Sequence, residues 1–212
     1  MLANQTLVAR DGYEVALFPM DVLNMTQDEG GDFSHSGTYN IDFVGTHASY
    51  PIYAPCTMIV VATRLTYDGG NAVTFESVHP VHLPNGALDY LTIDFAHDPN
   101  PPYTTVGTVV AQGNLCYHTG SYGHVTGDHV HSCLGQGQYQ GLTQRSTGNW
   151  DLTNRIHYWD GVYVNDTNII QGYNHDWRTW TEPTPPPIVR KKDKFPFIIA
   201  KHHWRGWGKV YK

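Results

Sequence analysis

Thr126-Gly127-Asp128-His129-Val130-His131-Ser132-Cys133 closes a glycine-rich stretch (119–128, TGSYGHVTGD) and carries the two histidines on which the reading of this chain turns. Alternate residues of a β-strand face one side. If 129–133 is a strand, His129 and His131 project together into one groove. Far upstream, Asp42 follows His35 by seven residues. Two imidazoles at strand spacing, with a distant histidine and a carboxylate, supply what a zinc site with three protein ligands and one open position needs. Those donors point to hydrolytic chemistry rather than to simple binding.

Working outward, the remaining segments read as short strands between turns. Tyr39–Val44 carries Asp42, Met58–Leu65 (MIVVATRL) is strongly apolar, and Asp68-Gly69-Gly70-Asn71 is a hairpin turn leading to a return strand over Ala72–Val78. Leu88–Phe95 and Gly107–Ala111 read as further strands, and Tyr158–Val164 with Thr167–Ile170 as a late hairpin. Leu7, Ala9, Val15 and Leu17 alternate loosely and suggest one or two strands near the start. No stretch of 12 or more residues has helical periodicity. The 21 Gly, 13 Pro and 14 Tyr agree with a turn-rich β protein. The expected fold is all-β: an antiparallel sheet carrying the histidines, with loops 66–71, 79–87, 98–105 and 119–128 rimming a groove.

No apolar run approaches the ~20 residues of a membrane span, and the first 20 residues lack a basic start followed by an apolar core. Three cysteines, Cys56, Cys116 and Cys133, without a CxxC, read as buried thiols rather than a disulfide framework. Charge is split along the chain. Residues 1–187 hold 18 acids and 5 arginines, whereas 188–212 hold 8 Lys and Arg against one Asp. Three segments follow: a domain over 1–182, a Pro-rich linker at 183–187 and a basic aromatic tail at 188–212.

His35-Ser-Gly, Asp42-Phe, Pro51-Ile-Tyr-Ala-Pro55, Phe95-Ala-His97, Val106 to Gly113 and His129-Val-His131 occur in one order. Over about residues 30–133 this ordered set resembles the lysostaphin/LytM-type zinc endopeptidases, which cut peptide bonds in bacterial peptidoglycan. The resemblance implies that His35, Asp42 and His131 hold Zn²⁺, and that His97 and His129 are the catalytic histidines, with the division of labour between them open. It implies peptidoglycan as substrate. The chain departs from the family pattern in the long His35–Asp42 interval, in Asp98 after His97, and in Ser132-Cys133 after His131.

The resemblance, the missing leader and the tail together suggest a bacteriophage protein, either a virion-associated tail-tip enzyme or a lysis enzyme released with the host's contents. Residues 188–212 read as a solvated or packed extension, as an adhesive segment for anionic wall polymers or membrane, or as an anchor to other phage tail proteins; nothing else in the chain suggests nucleic acid. Two other classes compete. A thiol-dependent wall enzyme needs a reactive cysteine, commonly at a helix N-terminus, and Cys56 leads instead into an apparent strand. A non-catalytic wall-binding or tail structural protein could retain the fold, but such proteins commonly lose ligands, and all five positions are present here.

Overall fold

A computed structural model describes residues 4–65, 71–165 and 169–185. The chain divides into two compact units, Met1–Glu182 and Pro183–Lys212. The expected tail at 188–212, the end of the expected linker, the Asp68-Gly69-Gly70 turn and Asp166 lie outside the described residues.

The first unit is built almost wholly of strands. In chain order they are β1 (Leu23–Gln27), β2 (Ile41–Phe43), β3 (Pro51–Tyr53), β4 (Met58–Arg64), β5 (Ala72–Ser77), β6 (Val81–His82), β7 (Leu88–Asp89) and β8 (Leu91–Ala96). There follow β9 (Val109–Val110), β10 (Leu115–His118), β11 (Val130–Gln136), β12 (Leu142–Gln144), β13 (Trp150–Leu152) and β14 (Arg155–Ile156). A single turn of helix, α1 (Tyr158–Gly161), precedes β15 (Ile169–Gln171). The main sheet runs β15-β1-β2-β11-β8-β5-β4-β9, with β14 also on β11. Its pairings are antiparallel except β1 with β15. The all-β antiparallel architecture expected from the sequence is thus the one observed.

Alternation decides which face each strand gives to the core. On β8, Leu91, Ile93 and Phe95 enter the hydrophobic core, while Asp94 and Ala96 line a cavity on the opposite face. Val130 and Leu134 of β11, Ile41 and Phe43 of β2, and Val73 and Phe75 of β5 join the same core. Each such large side chain contributes about 1.5–3 kcal/mol on burial. His131, Cys133 and Asp42 occupy the other phase of β11 and β2, so burying the apolar set forces the polar set onto one common face.

Three local expectations change. Tyr90 separates β7 from β8, so the 88–95 strand is two, and β7 pairs with β6 inside the segment read as a loop. The N-terminal alternation yields only isolated bridges such as Val15 with His82. Among the described residues of the expected 158–170 hairpin, Tyr158–Gly161 is helical, and β15 joins β1 in parallel. The cause is tertiary. The Glu29 carboxylate accepts the Tyr158 backbone N–H at 2.6 Å, and Tyr158 and Trp159 pack against Phe18 and Phe43. No helix among the described residues is long and apolar enough to cross a membrane.

Candidate metal centre

Strand register assembles the site. His131 on β11 lies directly opposite Asp42 on β2, and opposite Ala96 on β8, one residue before His97. Three neighbouring strands therefore deliver three of the sequence-selected residues to one place. His129 lies two residues before His131, at the mouth of β11. His35 arrives on the turn-rich segment between β1 and β2.

The donor atoms converge. His35 Nε2 is 3.2 Å from His131 Nδ1 and 3.2 Å from Asp42 Oδ1, and His131 Nδ1 is 3.0 Å from that same oxygen. Among the described residues His35, Asp42 and His131 are the group able to hold a metal ion. Metal–ligand distances of about 2.0–2.1 Å in a tetrahedron place ligand atoms roughly 3.3 Å apart. The observed triangle is within a few tenths of an ångström of that. His35 Nδ1–H donates to the Asp28 carbonyl at 3.0 Å, which leaves Nε2 as a lone pair turned toward the other two donors. His35 is fully buried and Asp42 is 8% exposed. Lone pairs and a buried carboxylate facing one another at this range call for a cation between them. Burial raises the Asp42 pKa, but the His131 and His35 nitrogens outweigh it when they carry a proton in place of a metal ion, and hold the carboxyl well below the usual range.

His97 and His129 stand beside the triangle. Their rings lie 4.6 Å apart, centroid to centroid, and His97 lies 5.8 Å from His131. Each is anchored through Nδ1–H to a backbone carbonyl, His97 to Tyr122 and His129 to Gly127, both at 2.9 Å. That leaves Nε2 of each ring for chemistry. The His129 Nε2 is 3.8 Å from Asp42 Oδ1. Burial, with the charges His131 and His129 can carry, pushes His97 down to about 4, so its imidazole stays neutral above mildly acidic pH.

The backbone of His97 has φ of 91°, a conformation that L-residues rarely adopt and that clusters at functional sites. Gly120 makes it possible to hold. A Cβ at Gly120 would stand 2.0 Å from the His97 carbonyl oxygen. Gly120 also exchanges both backbone hydrogen bonds with His129, each 2.9 Å, and Tyr122 N–H donates to His97 O. The glycine-rich loop thus fixes both outer histidines through main-chain contacts.

Asp98, which follows His97, is buried and accepts from His118 N–H and Nδ1–H at 3.0 and 2.9 Å. It ties the loop after β8 to β10. Cys56, Cys116 and Cys133 are buried and free, and burial raises all three thiols, which removes them as nucleophiles.

Two cavities meet at the triangle. One of about 450 Å³ includes Arg64, Asp94, Leu142 and Trp150 in its lining; the other, about 310 Å³, includes Phe33, Asp42, Thr126 and His129. Both include His97, His124 and His131. Trp150 is 55% exposed and Phe33 72%, so each arm carries an uncovered aromatic ring. Arg64 binds both Asp94 oxygens at 2.6 Å on the floor of the larger arm. Trp150 and Leu142, on the β12–β13 hairpin, fall beyond the motif-bearing stretch and were not anticipated. A lone tryptophan without periodicity gives no sequence signal.

No protein-family model matches the chain. It is 37% identical over 186 residues to "Morphogenesis protein 1" of Bacillus phage B103, covering 86% of this chain and 50% of that protein. The chain therefore spans about half the length of that relative. Among solved structures it is similar to a zinc-containing peptidase from Vibrio cholerae (TM-score 0.43, 20% identity, 61% of this chain and 42% of that one). It is also similar to the catalytic domain of lysostaphin from Staphylococcus simulans (0.42, 18%, 56% and 84%) and to the prophage-encoded M23 protein EnpA from Enterococcus faecalis (0.40, 24%, 55% and 82%).

Proposed function

We propose that this chain is a zinc-dependent endopeptidase that hydrolyses peptide bonds in bacterial peptidoglycan, and that it serves a bacteriophage as a virion-associated or lysis enzyme. The observation that carries the reading is the convergence of His35 Nε2, Asp42 Oδ1 and His131 Nδ1 at 3.0–3.2 Å, with two further anchored imidazoles beside them. The peptidoglycan assignment rests on the ordered motif set, and the phage assignment on the morphogenesis relative.

His35, Asp42 and His131 would hold the ion. Bound there, Zn²⁺ supplies a Lewis acid that lowers the pKa of a water and polarises a carbonyl. His97, whose Nδ1–H is held by the Tyr122 carbonyl, presents Nε2 as a lone pair placed to take a proton from the attacking water. His129 is placed at the same opening, where an imidazole N–H can stabilise charge developing on the scissile carbonyl oxygen. Whichever ring is then protonated returns the proton to the departing amine, restoring the starting state. Trp150 and Phe33 would flank the bound chain on the two arms, which suits an extended substrate passing over the centre.

The test is mass spectrometry of fragments released from purified Gram-positive peptidoglycan, with and without a zinc chelator. Chelator-sensitive release of new amino termini supports the proposal and names the bond. Release indifferent to the chelator, or none from several wall types, overturns it. The second outcome favours a wall-binding or assembly role, which the relative's designation as a morphogenesis protein also suits.

A further inference from the structure

The motif-bearing stretch ends near residue 133, yet His157–Trp159 and residues 169–177 make contacts that lead straight to His35. The residues before His35 form a run of turns with Gly30 at φ 69° and no strand pairing of their own. Asp28 and Glu29, at the start of that run, are gripped from outside. Asp28 Oδ2 accepts from His175 Nε2–H at 2.9 Å. The Glu29 carboxylate accepts from Tyr158 N–H and His157 Nδ1–H, each at 2.6 Å. The Asp28 carbonyl, in turn, accepts from His35 Nδ1–H at 3.0 Å and from Gly31 N–H at 3.1 Å. His175 itself packs against a pair of indoles: its ring is 5.1 Å from Trp159 and 5.2 Å from Trp177, and those two meet edge-on at 4.4 Å. The pairing of β15 with β1 fastens the same segment alongside the strand that leads into the turn.

We infer that His175 is a positioning residue for the metal centre, acting through Asp28 to aim His35. This rests on the reading that His35, Asp42 and His131 hold a metal ion. The physical argument is one of tautomer and aim. A metal-ligating histidine is useful only when its other ring nitrogen is held as N–H by a fixed acceptor. Here that acceptor is a main-chain oxygen in a glycine-containing turn, so its position depends on what holds the turn. The His175–Asp28 bond fixes the residue that owns the oxygen, and the indole pair fixes His175. The unit that builds the metal centre therefore includes His157–Trp159 and residues 169–177, well past the last ligand. Coupling of this kind is reciprocal: what tightens the metal site also tightens the docking of 169–177.

Two substitutions in the full chain separate the hydrogen bond from packing. His175→Phe keeps a ring against Trp159 and Trp177 but cannot donate; His175→Gln returns an N–H donor. The measurements are Zn²⁺ affinity by competition with a chromophoric chelator, the melting temperature of the metal-free protein, and the exchange rate of the His35 Nδ1 proton by NMR. The expected result is that His175→Phe weakens affinity about 10- to 100-fold, the range for loss of an outer partner of a metal ligand, and speeds His35 Nδ1–H exchange. His175→Gln should restore most of both. Wild-type affinity in a folded His175→Phe, or equal losses in both variants, would overturn the inference. Should His175→Phe not fold, Asp28→Asn, which weakens the same bond and keeps the carbonyl, is held to the same expectation. If wild-type protein takes up no zinc, it is the triad reading that fails. Zinc uptake by wild type with no change in the variants defeats this inference alone.

Discussion

Gly120→Ala tests the claim that the outer histidines are placed by a main-chain contact. The added Cβ would lie 2.0 Å from the His97 carbonyl oxygen, 2.7 Å from its carbon and 2.8 Å from Asp98 Cα. All three are backbone atoms, and real Cβ contacts essentially never fall under 3.0 Å. The two segments must part by about 1 Å or more, and forced overpacking of this kind costs about 1–3 kcal/mol. For a domain of this size that is about 2–4 °C of Tm per kcal/mol. A catalytic group misplaced by about 1 Å loses on the order of 100-fold in rate. His35, Asp42 and His131 are held elsewhere, by the Asp28 carbonyl and the β2–β11 register, so zinc content should survive. The assays are Tm, zinc per chain and release of wall fragments. The expected pattern is a modest fall in Tm, unchanged zinc and about 100-fold slower release. Unchanged release, or loss of zinc in step with activity, would refute the placement argument.

His131→Ala should abolish zinc uptake and activity together, whereas His129→Ala should keep the metal and lose turnover; the reverse pattern would mean that the ligand and catalytic roles are exchanged. In wild type, zinc at about 100 times its Kd should add about 2.7 kcal/mol of stability, seen as a rise in Tm that His131→Ala lacks. For pH, His97 sits near 4 in the fold against 6.5 when unperturbed. Between those values the unfolded chain binds the extra proton, so this group's effect favours the fold fully above 6.5 and is lost as pH falls toward 4, by up to about 3 kcal/mol. Tm of chelator-treated protein between pH 4 and 7 should fall more steeply in wild type than in His97→Phe. Trp150→Ala should leave zinc and Tm unchanged while raising KM several-fold on wall fragments, since its ring is exposed in the groove rather than packed; an unchanged KM would remove it from the substrate path.

What the sequence revealed was what alternation and motif order encode. The i, i+2 spacing of His129 and His131 placed them on one face because the apolar residues between and after them, Val130 and Leu134, must enter the core. The pairing of His131 with Asp42 was not legible, because register is a property of two strands far apart in the chain. Nor was the anchoring of His97 and His129, since the acceptors are the carbonyls of Tyr122 and Gly127 and any residue type supplies a carbonyl. The glycine-rich loop was visible as a loop, but the specific need for Gly120 appears only when its neighbour across the turn is known. The stretch from Tyr158 to Gly161 shows the same limit: its alternation resembled a strand, and a half-buried carboxylate from Glu29 receives its first N–H in a helical turn instead.

The residues of the triangle and the rings beside it come from different kinds of structure, and this explains how the site can be both rigid and open to the cavities beside it. Asp42 and His131 stand on central strands whose position is set by core burial on the opposite face. His35, His97 and His129 stand on turns, which bury little apolar surface and would wander alone. Each turn-borne ring is instead fixed by one hydrogen bond to a carbonyl, and the segments bearing those carbonyls are fixed from a distance: Asp28 by His175, and the 120–129 loop by Gly120 against His97. Main-chain acceptors suit this task because they carry no net charge. A carboxylate in their place would raise the basicity of the imidazoles and so favour protonation of the nitrogen that faces the site. Among the described residues, Asp42 is the carboxylate that meets the His35, His129 and His131 rings, and it lies where the three donor atoms converge.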